Sequence, residues 1–80
     1  MKTMTAVEAK NAFRRLLEAT IREPVAIRKN GLEVAAMFSM EDIRSLADGF
    51  LAEPLKADVV AGKLGLIDAI MVQIDLNRRF

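Results

Sequence analysis

Lys10, Asn11 and Arg14 stand at positions i, i+1 and i+4 of a stretch whose apolar residues recur at helical spacing. On one continuous helix the three would share a side. An Asn amide pairs with an adenine edge, an Arg fork with a guanine edge or a phosphate, and a Lys ammonium with a phosphate. A helix that presents this trio from its early turns therefore suits the major groove of a nucleic-acid duplex. Arg28, Lys29 and Asn30 form a second polar group beside a turn, and Lys2 and Thr5 add a cation and a hydroxyl near the N-terminus. Read alone, the trio fits an ordinary solvated face better than a groove-reading one. Arg15 and Arg22 read as solvated or paired with Glu18.

Net charge is only +1, but it is unevenly spread. Residues 1–31 carry seven basic and three acidic side chains, a net of +4, and residues 32–80 carry five and eight, a net of −3. Such asymmetry assigns an electrostatic task to the basic half.

Three elements must position these groups. Thr5-Ala6-Val7-Glu8 is a capping box and predicts a helix start; Ala6, Ala9, Phe13, Leu16, Leu17 and Thr20 then form one apolar face, up to the break that Pro24 imposes. Two runs of branched apolar residues follow, flanking Asn30-Gly31, the strongest short-range signal for a hairpin. Alternation puts Val25 and Ile27 on one face of the first strand. On the second it sets Leu32, Val34, Ala36 and Phe38 against Glu33, Ala35 and Met37. Thr3 and Met4 suit an edge strand. Ser39 caps a second helix with the stripe Met40, Ile43, Leu46, Ala47 and Phe50. Gly49 and Pro54 mark its end or a bend, and beyond them Gly62 and Gly65 interrupt a short helix. A final helix carries Leu66, Ile67, Ile70, Met71 and Ile74.

Eighty residues hide only ~60% of their unfolded surface, yet 52% of this chain is hydrophobic. Self-association is the expected outlet. The chain has no His, Cys, Trp or Tyr and only two serines, Ser39 and Ser45. Neither acid–base nor thiolate catalysis finds its usual groups, no carboxylates have metal-ligand spacing, and no glycine-rich loop opens a helix. A binding protein is expected, not an enzyme, with no cofactor and no metal. The N-terminus lacks the apolar core of a signal peptide, and no run is long enough to span a membrane, so the expected compartment is the cytoplasm.

Taken together and in order, four segments resemble the Phd/YefM (prevent-host-death) antitoxin family over residues 1–48. They are Thr5 to Asn11 before Phe13 and Leu16-Leu17, Pro24 to Gly31, Val34 to Met37, and Ser39 to Asp42. Where that family commonly has Ser-x-Ala-Arg, this chain has Val7-Glu8-Ala9-Lys10, which keeps a cation but not the bidentate fork. Ala12 stands where a polar residue is usual. The resemblance implies an α+β fold, a small YefM-like dimerisation domain in which a hairpin packs against helices, followed by a helical C-terminal arm. It implies a homodimer, or a dimer of dimers, that binds operator DNA and represses its own operon. It further implies that the arm blocks a toxin encoded beside it, either a RelE-type mRNA endonuclease or a Fic/Doc-type toxin.

On this reading residues 1–52 form the dimerisation and DNA-binding domain, and residues 53–80 the toxin-binding arm. Lys2, Thr5, Lys10, Asn11, Arg14, Arg28, Lys29 and Asn30 are the candidate DNA contacts. Leu55, Val59, Val60, Leu64, Ile67, Ile70, Met71, Ile74 and Phe80 are the candidate toxin contacts, and the same stripe also suits packing within the protein. Two alternatives stay open: a stand-alone DNA-binding regulator of the same fold, and an oligomerisation or adaptor module that binds no nucleic acid.

Overall fold

Thr5 ends a strand and starts a helix. Its hydroxyl accepts from the Glu8 N–H at 3.1 Å, and the Glu8 carboxylate accepts from the Thr5 N–H at 3.1 Å, so the capping box is closed. The computed structural model describes residues 2–79. In chain order it contains β1 (Lys2–Thr5), α1 (Ala6–Asn11), α2 (Phe13–Arg22), β2 (Val25–Lys29), β3 (Leu32–Met37), α3 (Met40–Phe50), α4 (Glu53–Val60) and α5 (Leu66–Arg79). The fold is α+β. Packing divides it into two compact units, Met1–Asp42 and Ile43–Phe80, whereas the boundary expected from the sequence lies after residue 52. The part of α3 after Asp42 belongs to the C-terminal unit, where its Ala47 is buried.

In the first unit the strand order is β1-β2-β3. β1 and β2 run parallel, with Lys2 opposite Val25 and Thr5 opposite Arg28, and the connection between them is the pair α1–α2. Met4, Ala9, Leu16 and Val25 form the core, flanked by Ala12, Ala19, Ile27 and Met37. Thr20 is also buried, and its hydroxyl is satisfied by donating to the Leu16 carbonyl at 2.7 Å.

Two expectations change here. The single helix expected before Pro24 is broken at Ala12, whose φ of −126° and ψ of 44° are not helical. The break re-aims α2, so its buried side is Leu16, Ala19 and Thr20, while Phe13 and Leu17 are 53% and 46% exposed. The second change lies in the hairpin. Ile27 faces Ala35 and Arg28 faces Glu33, so Val34 is an extra residue in the ladder. The alternation expected along β3 therefore shifts at Val34: Met37 joins the core beside Val25 and Ile27, and Glu33 comes to the side of Arg28.

The hairpin turn is as expected, with positive φ at both Asn30 (53°) and Gly31 (78°). A Cβ at Gly31 would meet nothing within 4 Å. The cost of a side chain there is therefore conformational alone, and Gly31→Val should destabilise the fold by about 1–2 kcal/mol. Chemical denaturation reads this directly, and an unchanged midpoint would mean that the turn is not held in this form.

In the second unit Ala47, Leu51 and Ala69 are the buried centre, with Leu55, Val59, Leu64, Leu66 and Ile70 packed around them. Ala47 of α3 and Ala69 of α5 are the small residues at that centre. Ser39 accepts from the Asp42 N–H at 3.1 Å and caps α3. Pro54 sits in the first turn of α4, where its missing N–H costs nothing. The Gln73 side-chain amide oxygen (Oε1) accepts from the Ala52 N–H at 2.8 Å, which supplies α4 with the cap its own residues lack. Gly62 (φ 74°) ends α4, and the Lys63 N–H bonds back to the Asp58 carbonyl at 2.9 Å in a Schellman closure.

Candidate functional site

The parallel register brings Thr5 level with Arg28. The N-terminus of α1 and the hairpin tip thus lie at the same end of the sheet, and Thr5, Arg28, Lys29 and Asn30 are gathered there, all exposed. Lys10 and Asn11, also exposed, close α1, about 7.5 Å of helix rise beyond Thr5 for Lys10. Arg14 is placed differently from expectation. The break at Ala12 puts it in the first turn of α2, so Lys10, Asn11 and Arg14 do not share one continuous helical face. Lys2 stands at the other end of β1, opposite Val25 and about 10 Å from Thr5 along the strand.

Two of the candidate cations already have a carboxylate nearby. Arg28 lies 3.8 Å from Glu33 across the hairpin, both about half exposed, and Arg14 lies 3.7 Å from Glu18 one turn on, with both highly exposed. Exposed pairs of this kind contribute little and are readily exchanged for another anion. Lys10 and Lys29 make no ion pair among the described residues.

Beside this end of the sheet the Glu8 carboxyl is held below its usual value of 4.5, first by the Thr5 backbone N–H, then by the Thr5 hydroxyl and the field of Arg15. A depressed carboxyl stabilises the fold above pH 4.5 and loses that contribution as pH falls through the folded value. Thr5→Ala should remove part of this acid sensitivity and cost ~1 kcal/mol at neutral pH through the lost cap. Thermal melts of both proteins between about pH 6 and 3 check it; parallel pH profiles would refute the coupling.

The expected protein-binding stripe divides in two. Leu55, Val59, Leu64 and Ile70 pack against the unit's own centre. Val60, Ile67, Met71 and Ile74 remain 88%, 44%, 62% and 37% exposed. Phe80 lies outside the described residues. Ile43, Leu46 and Phe50 of α3 and Ile67 and Ile70 of α5 line a groove of about 200 Å³ with an almost wholly apolar wall. Among the described residues no group of three His, Cys, Asp or Glu side chains can hold a metal ion, and no helix is long and apolar enough to cross a membrane.

Sequence reasoning left Arg15 and Arg22 without a task. They line a pocket of about 320 Å³ together with Lys2, Glu18, Ala19 and Glu23. Their spacing of seven residues, two helical turns, is the signal that pairs them, but nothing in the pattern brings Lys2 to the same place. No protein-family model, curated protein or solved structure matches the chain.

Proposed function

We propose that this chain is the antitoxin of a type II toxin–antitoxin pair of the Phd/YefM kind, acting in the cytoplasm. Its first unit binds operator DNA as a dimer, and its second captures the toxin. The observation that carries the DNA part is the Thr5–Arg28 register, which gathers a helix N-terminus and a basic hairpin tip at one end of the sheet, within the half of net charge +4. Lys10, Lys29 and Arg28 supply phosphate contacts, and Asn11 and Asn30 are amides within the same region. Support for the dimer comes from β3, an outer strand whose Leu32 and Val34 are 70% and 59% exposed. An open outer strand offers unpaired N–H and C=O groups to a second chain, beside the bulge at Val34. The toxin part is supported by the α3–α5 groove and by exposed Ile67 and Met71, which form the apolar seat that helix-in-groove recognition uses.

Two measurements separate this reading from its alternatives. Co-purification with the product of the adjacent reading frame should succeed; a chain that shifts its own upstream DNA but captures no neighbour is a stand-alone regulator. On that DNA, Lys10→Ala combined with Arg28→Ala should weaken binding and lower the salt slope by ~0.9 for each phosphate no longer neutralised. An unchanged affinity and slope would remove these residues from the interface. No shift by the unmodified protein at any salt concentration would leave only the adaptor reading.

A further inference from the structure

Arg15 and Arg22 leave α2 on the same side, two turns apart, and Ala19 lies between them. Both arginines are exposed, and Ala19 between them packs against the core. Lys2 reaches the same place from the start of β1, and the three cations face one pocket of about 320 Å³. Its remaining charged walls are Glu18 and Glu23. Glu18 also lies 3.7 Å from Arg14, and the field of Arg15 reaches Glu8, so two carboxylates stand against three cations. Among the described residues Lys2, Arg15 and Arg22 take part in no ion pair within 4 Å. Three cations converging on a concave, solvent-open site without enough carboxylate to neutralise them make a receptor for a compact anion.

We infer that the pocket lined by Lys2, Arg15 and Arg22 binds a phosphate group of the DNA backbone, a contact separate from the Thr5–Arg28 end of the sheet. Two guanidinium forks match the oxygens of a phosphate in pairs, and the ammonium adds a point charge. The strand length between Lys2 and Thr5, about 10 Å, corresponds to roughly three nucleotide rises along a duplex strand, so one backbone can pass both places. Glu23 then serves as a brake on affinity rather than a ligand. This inference rests on the DNA-binding reading above.

Fluorescence anisotropy on the DNA upstream of the gene, across a salt series, tests it. Arg15→Ala with Arg22→Ala should weaken binding and lower the salt slope by ~0.9 for each phosphate that the pair no longer neutralises. Arg15→Lys with Arg22→Lys should keep the slope, and Glu23→Gln should tighten binding several-fold, a gain that misfolding cannot produce. If the alanine pair and Glu23→Gln both match the unmodified protein while Lys10→Ala with Arg28→Ala lowers the slope, the pocket is no part of the interface and the DNA reading survives. If the unmodified protein binds no duplex, that reading fails and the DNA source with it. A titration with inorganic phosphate, read at the Arg Nε–H signals by NMR, then assigns the pocket: saturable shifts of Arg15 and Arg22, absent with chloride at equal ionic strength, make it a free-phosphate site. No shift in that titration and no change in DNA binding overturn the pocket altogether.

Discussion

Leu16→Ala is expected to lower the stability of the protein by ~3 kcal/mol, within the range of about 2–5 kcal/mol that emptying a packed leucine site costs. Leu16 is 2% exposed and sits with Met4, Ala9 and Val25 in a core built from few large side chains. The neighbouring Met4 and Met37 can fill part of the space, which keeps the expected loss in the middle of that range. An 80-residue chain commands only roughly 4–12 kcal/mol in total, and the loss should therefore remove about a quarter to three quarters of it. Its neighbour makes the contrast. Leu17 is 46% exposed, so Leu17→Ala should change stability by less than about 1 kcal/mol. Urea titration of the two variants decides: equal losses would mean that the break at Ala12 does not aim α2 as described.

The second large effect belongs to Ala69. It is 0% exposed and faces Ala47 and Leu51, where α5 approaches α3. Ala69→Asp sets a carboxylate with no partner into that contact and should cost about 3–5 kcal/mol. The C-terminal unit should lose its packing, and on the proposed function capture of a toxin should fall with it. Met71→Asp is the matched control, because Met71 is 62% exposed and a charge there stays in water. It should leave stability within about 0.5 kcal/mol. On the proposed function it should still weaken toxin capture, since it places a charge on the exposed apolar side of α5. Circular dichroism melts and a pull-down on each variant separate the two effects. A stable Ala69→Asp protein would show that α3 and α5 do not pack through these alanines.

Much of this molecule could be read from local chemistry. The Thr5–Glu8 box, the Asn30-Gly31 turn and the Ser39 cap need only short segments in the right conformation, and each appears where the residue types put it. So do the last two helices, because Pro54, Gly62 and Gly65 punctuate the chain whatever surrounds it. The α+β class follows from the same signals. Periodicity, however, says which residues share a face only while the period is unbroken. Ala12 is a good helix former, and nothing in its own chemistry announces a break; the turn there is set by how α1 and α2 both reach the sheet. The extra residue at Val34 likewise leaves no mark in a run of alternating apolar side chains.

Candidate contacts divide along the same line. The charges of Lys10, Arg14, Arg28 and Lys29 are legible one by one, and so is the excess of cations in the first half. Which of them meet depends on strand pairing between residues more than twenty positions apart. The parallel register carries Thr5 to Arg28 and takes Lys2 away to Arg15 and Arg22. In the C-terminal unit residue types alone dictate a greasy helix. Long-range packing then selects Leu55, Val59, Leu64 and Ile70 for the protein's own core and leaves Ile67 and Met71 outside. The reason is the same throughout: capping and turn chemistry act within about four residues, whereas burial and register belong to contacts that exist only once distant segments have met.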